Sequence, residues 1–397
     1  MTLHVPKGFE FAAVHCGIKR NPTKEDFTLI HCPQGATAAG VYTQNIVHAA
    51  PVVLDRQRTP ASGVRVVAVN SGNANACTGE RGWNDAVEMA RLAAEACGAQ
   101  PEQALVMSTG VIGVFLPMDK IAAGTKAAQA KLANDEAAFH AASRGILTTD
   151  KGPKVTSRQL SLGGRTIHLA GMAKGAGMIG PNMATMLAVM TTDAPLTPEV
   201  AQAAIKAAAD QSFNCISVEG HMSTNDTLLL LASGAAGGEP LSGAELEQFQ
   251  AALTDTCIEL AKQIPDDGEG ATHLICLRIE GCRTVAEARQ IAQTVANSAL
   301  VKTAITGGDP NWGRIVSAAG YAGVPFDPAG VDLTVNGYAL YERGAPLSFD
   351  AKTVSQSIKE NRETDVFLRF REGSAGIRFW TSDLTVDYVK FNADYTT

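Results

Sequence analysis

The sequence predicts a layered α/β or α+β sandwich. Three observations carry this: short β-branched runs crowd the first 70 residues, amphipathic helical stretches fill the middle, and strands return in the last third. Phe27-Thr28-Leu29-Ile30, Ala39-Gly40-Val41-Tyr42 and Val64-Arg65-Val66-Val67-Ala68-Val69 are apolar or β-branched and bounded by Gly, Pro and Asn, the mark of strands. Over residues 84–97, Val87, Ala90, Leu92 and Ala94 recur near helical spacing, and residues 119–132 read likewise. In Thr197-Pro198-Glu199 a capping threonine precedes a proline at the first helical position, which predicts a helix to about Gln211. Two more long helices are predicted over 243–264 and 284–300, with a strand at 272–279 between them. The final strands are predicted at 331–335, 366–370, 376–379 and 384–389. There is no fixed-period repeat and no low-complexity linker, and the clearest boundary is Glu280-Gly281-Cys282.

Composition narrows the function classes. The 397 residues are 45% hydrophobic and 18% charged, which suits a globular chain with a large core. A formal net charge of -7 without any Lys/Arg cluster argues against a general nucleic-acid binder. The start, Met1-Thr2-Leu3-His4-Val5-Pro6-Lys7-Gly8, lacks the apolar run of a signal peptide, and no apolar stretch reaches the ~18 residues of a membrane span. The eight cysteines form no CxxC pair and sit mostly in apolar runs, so reduced core thiols and a cytoplasmic location are expected. His15-Cys16 and His31-Cys32 are adjacent pairs that strands would send to opposite faces, so no metal site is expected.

HExxH, GxSxG and the P-loop are all missing. Gly175-Ala176-Gly177-Met178-Ile179-Gly180 matches GxGxxG, but Pro181-Asn182 and then a strand follow it, where a dinucleotide site needs a helix. The glycines instead form a loop that delivers Ala184-Thr185-Met186-Leu187. A small residue before a threonine at the mouth of a strand suits self-cleavage: the hydroxyl attacks the preceding carbonyl, the acyl group moves to oxygen, and water releases it. Glycines permit the strained backbone that this requires. The freed threonine then carries its own base, an α-amine of pKa about 8. The residues alone leave open that Thr185 is simply a strand threonine. Other polar islands stand out. Ser108-Thr109-Gly110-Val111-Ile112-Gly113 ends a strand and can present amides and a hydroxyl to an anion. The loop 70–79 is dense in asparagine. Asp266-Asp267-Gly268-Glu269-Gly270 places Glu269 to receive an amine, and Asp309-Pro310-Asn311-Trp312-Gly313-Arg314 reads as a rigid corner.

Together these segments resemble the ornithine acetyltransferases, the glutamate N-acetyltransferases of arginine biosynthesis. The resemblance spans nearly the whole chain. It runs through Ala39-Gly40-Val41-Tyr42-Thr43-Gln44-Asn45, 70–79, 108–113, Thr148-Thr149-Asp150, 174–193, Ser223-Thr224-Asn225-Asp226-Thr227, 267–271, 309–314 and Asn392-Ala393-Asp394-Tyr395-Thr396-Thr397. It implies an α-β-β-α sandwich of the self-processing acetyltransferase/aminopeptidase type with a smaller C-terminal α/β subdomain. Cleavage between Ala184 and Thr185 would give an α chain, 1–184, and a β chain whose part 185–282 completes the sandwich. Residues 283–397 would form the smaller subdomain, with the tail returning to the site. The two chains would associate as α2β2. The implied reaction is ping-pong, moving an acetyl group from N-acetylglutamate to ornithine through Thr185, with no metal or organic cofactor. Acetyl-CoA and glutamate serve some members as further substrates.

The resemblance implies Thr185 as nucleophile and Thr109 with Gly110 as the oxyanion pair. Thr148, Lys174, Thr185, Glu269, Asn392 and Thr397 match substrate-contacting positions. A cationic Lys174 suits the carboxylate that both substrates share, and Glu269 the positive end of ornithine. The sequence departs from the family at Glu219-Gly220-His221-Met222, where relatives carry a more acidic Asp-Gly-Asp-Thr-like stretch, and at Val114, where many carry a base. Two alternatives remain: an aminopeptidase or amidohydrolase of the same sandwich, and an uncleaved, non-catalytic binding protein.

Overall fold

The structure, a computed structural model, describes residues 3–180 and 186–394. Its strands are β1 (Glu10–Val14), β2 (Phe27–Tyr42), β3 (Ala61–Asn73), β4 (Ala104–Val111), β5 (Lys154–Leu162), β6 (Arg165–Lys174), β7 (Leu187–Thr192), β8 (Ile216–Ser217), β9 (Thr227–Ala232), β10 (Leu274–Cys282), β11 (Asp332–Val335), β12 (Tyr338–Glu342), β13 (Ala345–Pro346), β14 (Glu363–Arg369) and β15 (Ala375–Ser382). The helices are α1 (Ala50–Arg58), α2 (Gly79–Ala96), α3 (Met118–Gln129), α4 (Glu136–Gly145), α5 (Pro198–Gln211), α6 (Gly243–Asp266), α7 (Val285–Ala296), α8 (Ala299–Gly307), α9 (Trp312–Gly320), α10 (Ala351–Lys359) and α11 (Val386–Asp394).

The first sheet runs β4-β3-β2-β9-β7-β6-β5, with β1 on β2. The two short strands expected at 27–30 and 39–42 are the ends of one 16-residue strand, β2. Its first half pairs with β1 and β3, and its second half with β9 and, after a register shift between His31 and Ala36, with the start of β3. Pro33 and the left-handed Gly35 (φ 83) lie at that shift. A proline cannot donate to the ladder and a positive φ turns the chain, so the strand bends there and carries the sheet from one layer into a second.

Side-chain alternation then sorts the core into layers. Phe27, Leu29, Val66, Ala68 and Val106 pack on Met89 and Ala93 of α2 and Ile121 of α3. Their alternates Ile30, Val67, Val69, Leu105 and Met107 meet Met172, Val189, Leu229 and Leu231 of the second layer, with Phe139 of α4 wedged among them. On the far side Leu169, Met190, Leu228 and Leu230 pack on Ile205 of α5 and Leu253 and Leu260 of α6. The order helix, sheet, sheet, helix is the expected sandwich.

A second sheet, β13-β12-β11-β14-β10-β15-β8, shares the α6 core and is covered by α7. The boundary expected at Glu280-Gly281-Cys282 falls at the end of β10, which lies inside this sheet between β14 and β15. Thr197 caps α5 by accepting from Val200 N at 3.3 Å, as its position before Pro198 predicts. The single helix expected over 284–300 is two: α7 stops at Asn297, and Ser298 caps α8 by accepting from Val301 N. The strand expected over 384–389 is instead loop and the start of α11. Thr385 Oγ1 accepts from Tyr388 N at 3.2 Å, and Val386 and Val389 are exposed, so no sheet face claims them. Among the described residues, no helix is long and apolar enough to cross a membrane.

Candidate active site

Thr185 and Ala184, the expected nucleophile and cleavage position, lie outside the described residues, as does Thr397. The described chain that follows them is well held. Met186 N donates to Asp226 Oδ1 at 3.1 Å, and Thr227 N donates to Met186 O at 3.1 Å. Leu187 then opens β7 directly opposite Lys174 at the end of β6.

Lys174 is buried, and its Nζ donates to Thr109 Oγ1 at 3.4 Å. Burial lowers its ammonium pKa, against the pull of Asp150 and Glu269. The contact joins two expected site residues from strands distant in sequence. It also occupies the acceptor side of the Thr109 hydroxyl, which leaves its hydrogen to point at another acceptor. The neighbouring Gly110 has φ 135, and a Cβ there would lie 2.2 Å from Gly72 C, so only glycine fits between these strand ends.

Thr148 is half-buried, and its amide donates to Asp150 Oδ2 at 3.0 Å. The other oxygen of Asp150 accepts from Gly175 N at 2.6 Å and from Lys154 Nζ at 2.7 Å. Burial opposes charge on Asp150, but Lys174 and Lys154 outweigh it and hold the carboxyl well below its ordinary pKa. Lys154 continues to Asp267 Oδ2 at 2.6 Å. The carboxylate thus ties the Thr148 turn, the start of the glycine loop and the turn after α6 into one unit.

Glu269 sits on that turn. Its amide donates to Ala176 O at 2.9 Å, and Asn392 Nδ2 of α11 donates to its Oε2 at 3.0 Å. A Cβ on Gly177 would fall 2.5 Å from the Glu269 carboxyl, so the glycine admits the carboxylate against the loop backbone. Thr109, Thr148, Lys174, Glu269 and Asn392 therefore all gather around the loop 174–180.

The residues that brace them lie in segments that stand out in the sequence, but no bracing role was read for them there. Asn225 Nδ2 donates to Ala74 O at 2.6 Å and Ser108 O at 2.8 Å, and Ser108 Oγ to Asn70 Oδ1 at 2.6 Å, all buried. The signal was there: five consecutive polar residues, Ser223-Thr224-Asn225-Asp226-Thr227, lead into an apolar strand and are buried. Buried polar groups of this kind imply a network. Asp150 and Lys154 left only the spacing of four, which the sequence does not place across a turn. Among the described residues, no group of three or more His, Cys, Asp or Glu could hold a metal ion. His15 and His31 serve structure, bonding Lys24 O and Glu10 Oε2.

A buried lysine against a threonine hydroxyl, with a carboxylate on the same glycine loop, lies in a layered sandwich of the kind enzymes for small molecules use. The chain belongs to the ArgJ family, whose model matches residues 10–397. It is 49% identical to the arginine biosynthesis bifunctional protein ArgJ of Rhodopirellula baltica, over 100% of this chain and 97% of that protein. Identity to the protein of the same name from Symbiobacterium thermophilum is 47%, covering 99% and 98%. A crystal structure of the Bacillus halodurans protein of that name matches with a TM-score of 0.50 and 37% identity, covering 52% of this chain and 97% of that one.

Proposed function

We propose that this chain is an acetyltransferase of arginine biosynthesis that moves an acetyl group from N-acetylglutamate to ornithine through an acetyl ester on Thr185. The observation that carries the reading is the buried Lys174–Thr109 contact at one end of a glycine loop whose Ala176 carbonyl accepts from the Glu269 amide, so that a cation, a hydroxyl and a carboxylate belong to one loop. Such a site matches an α-amino acid with a carboxylate at one end and an amine at the other. Cleavage between Ala184 and Thr185 divides the chain into 1–184 and 185–397, which stay associated as α2β2. The half-length chain of the solved Bacillus halodurans relative, 97% covered by 52% of this chain, fits a family cut near its middle. α11 is the returning tail, and it brings Asn392 to Glu269.

In the first half-reaction the Thr185 oxygen attacks the acetyl carbonyl of N-acetylglutamate. Its α-amine takes the hydroxyl proton and passes it to the departing glutamate nitrogen, and the C–N bond breaks to leave acetyl-Thr185. The Thr109 hydroxyl and Gly110 amide hold the oxyanion, and Lys174 binds the substrate carboxylate. In the second half the ornithine α-amine attacks the ester, its proton returns by way of the Thr185 amine, and the threonine hydroxyl reforms. Thr148, Glu269, Asn392 and Thr397 complete the substrate contacts. No metal or organic cofactor enters these steps, and acetyl-CoA with glutamate is a second route to the same acetyl-threonine. We place the enzyme in the cytoplasm.

Purified protein incubated with N-acetylglutamate, with and without ornithine, tests the reading by mass spectrometry. Acetylornithine formed in step with free glutamate supports it. Free acetate without acetylornithine would make the protein a hydrolase instead.

A further inference from the structure

We propose that Glu219 is a positioning residue for self-cleavage: its carboxyl grips the loop that runs into residues 181–185, and grips it harder when ionised. The inference rests on the self-cleavage reading above. Glu219 follows β8, beside the glycine loop. Its Oε1 accepts from Ile179 N at 2.6 Å, while Ile179 O accepts from Val218 N at 2.9 Å and Gly220 N at 3.0 Å. Both backbone groups of Ile179 are thus held by one three-residue segment. A Cβ on Gly180 would lie 2.6 Å from Gly220 C, so the two backbones touch. The gripping segment is itself fixed: Lys302 Nζ donates to Val218 O at 2.6 Å, and Ser217 Oγ to Asn297 Oδ1 at 2.6 Å. Only Gly180 separates Ile179 from residues 181–185, which hold the cleavage bond.

The second oxygen of Glu219 is buried without a hydrogen-bond partner among the described residues. That oxygen is held at a cost, as are the second oxygens of Asp55 and Asp226. The groups facing it come from four elements. They are Glu269 after α6, Lys302 of α8, Tyr388 of α11 and the backbone at Ile179 and His221. Burial first, and Glu269 in addition, push the carboxyl up to about 8, with Lys302 pulling the other way. Near neutral pH the group is mainly the neutral acid, a weak acceptor; above that it becomes a charged acceptor and binds the Ile179 amide more strongly. The uncleaved precursor has no free Thr185 amine, so that amine cannot supply a pH dependence at this stage.

The test follows fragment formation in full-length precursor refolded from denaturant at pH 6 and pH 9, for wild type, Glu219→Gln and Glu219→Ala. Wild type should cleave faster at pH 9, and Glu219→Gln should lower the ratio of the two rates by about tenfold. Glu219→Ala should slow cleavage at both. Unchanged pH dependence in Glu219→Gln, or wild-type rates in Glu219→Ala, would overturn the proposal. Amide exchange at Ile179, measured in a Thr185→Ala background, gives a readout independent of cleavage. It should quicken about tenfold or more on adding Glu219→Ala, and an unchanged rate also overturns the grip. A wild-type chain that never cleaves contradicts the self-cleavage reading, and the exchange measurement then still decides whether Glu219 holds the loop.

Discussion

Two buried lysines, Lys174 in the candidate site and Lys302 in α8, show how the same residue type is kept for opposite purposes. Lys302 spends its protons on Val218 O at 2.6 Å, Thr381 Oγ1 at 2.8 Å and Ser382 O, acceptors that fix α8 to β15 and to the segment after β8. Lys174 has one hydrogen bond among the described residues, the 3.4 Å contact to Thr109, and is otherwise held by carboxylates at a distance. Burial costs a cation several kcal/mol and lowers the ammonium pKa in either place, but Lys302 has a full shell of acceptors to offset part of that cost and Lys174 does not. On the function proposed above, this under-coordinated ammonium beside a hydroxyl is the group that takes the substrate carboxylate.

Exchanging each lysine for methionine separates the two. Lys174→Met should lower kcat/KM by about 10³-fold, the cost of truncating one partner of a buried charge contact, while Tm holds or rises because a poorly paired charge leaves the core. A loss of Tm with full activity would reverse the assignment. Thr109→Ala should reduce kcat by about 10²-fold or more with little change in KM, since an oxyanion donor acts on the transition state. Equal effects on KM would make Thr109 a ground-state contact. Lys302→Met should instead destabilise by about 2–3 kcal/mol, read by urea unfolding, because several buried acceptors lose their donor. Its kcat/KM per folded molecule should fall less than tenfold.

The smallest effect is in the pH profile. Glu219 is raised from 4.5 to about 8, so the folded chain holds a proton that the unfolded chain has lost, and stability falls as pH rises from about 4.5 to 8. Lys302 is lowered by burial from 10.5 to about 8, so the unfolded chain binds the extra proton and stability recovers from about 8 to 10.5. The difference in Tm between wild type and the Glu219→Gln, Lys302→Met double variant should therefore show a dip of the wild type near pH 8. A difference flat across that range would contradict the titration of both groups.

The fold was legible where hydrophobic period and punctuation agreed, as in Thr197-Pro198-Glu199 before α5. It was obscured where they conflicted. Leu384, Val386 and Val389 look like a strand, yet Thr385 caps a helix whose valines face solvent. Pro33 and Gly35 read as a break between two strands but bend a single one. The hairpin β5–β6 turns at Gly163-Gly164, both left-handed, a signal that the polar 154–162 stretch hid. Site residues were legible as motifs, since each polar island stands out against apolar neighbours. Their bracing was not. Asp150, which joins the Thr148 turn to Gly175 and Lys154, depends on pairings between distant strands that local chemistry does not encode.

The central step of the proposed reaction is that Thr185 carries the acetyl group. Wild type incubated with N-acetylglutamate and no acceptor, quenched in acid, digested and mapped by mass spectrometry, tests this most directly. The expected product is a peptide that begins at Thr185 and carries one acetyl group, lost when ornithine is added before the quench. An uncut peptide running through Ala184-Thr185, or a cut peptide that never gains the acetyl group, would contradict it.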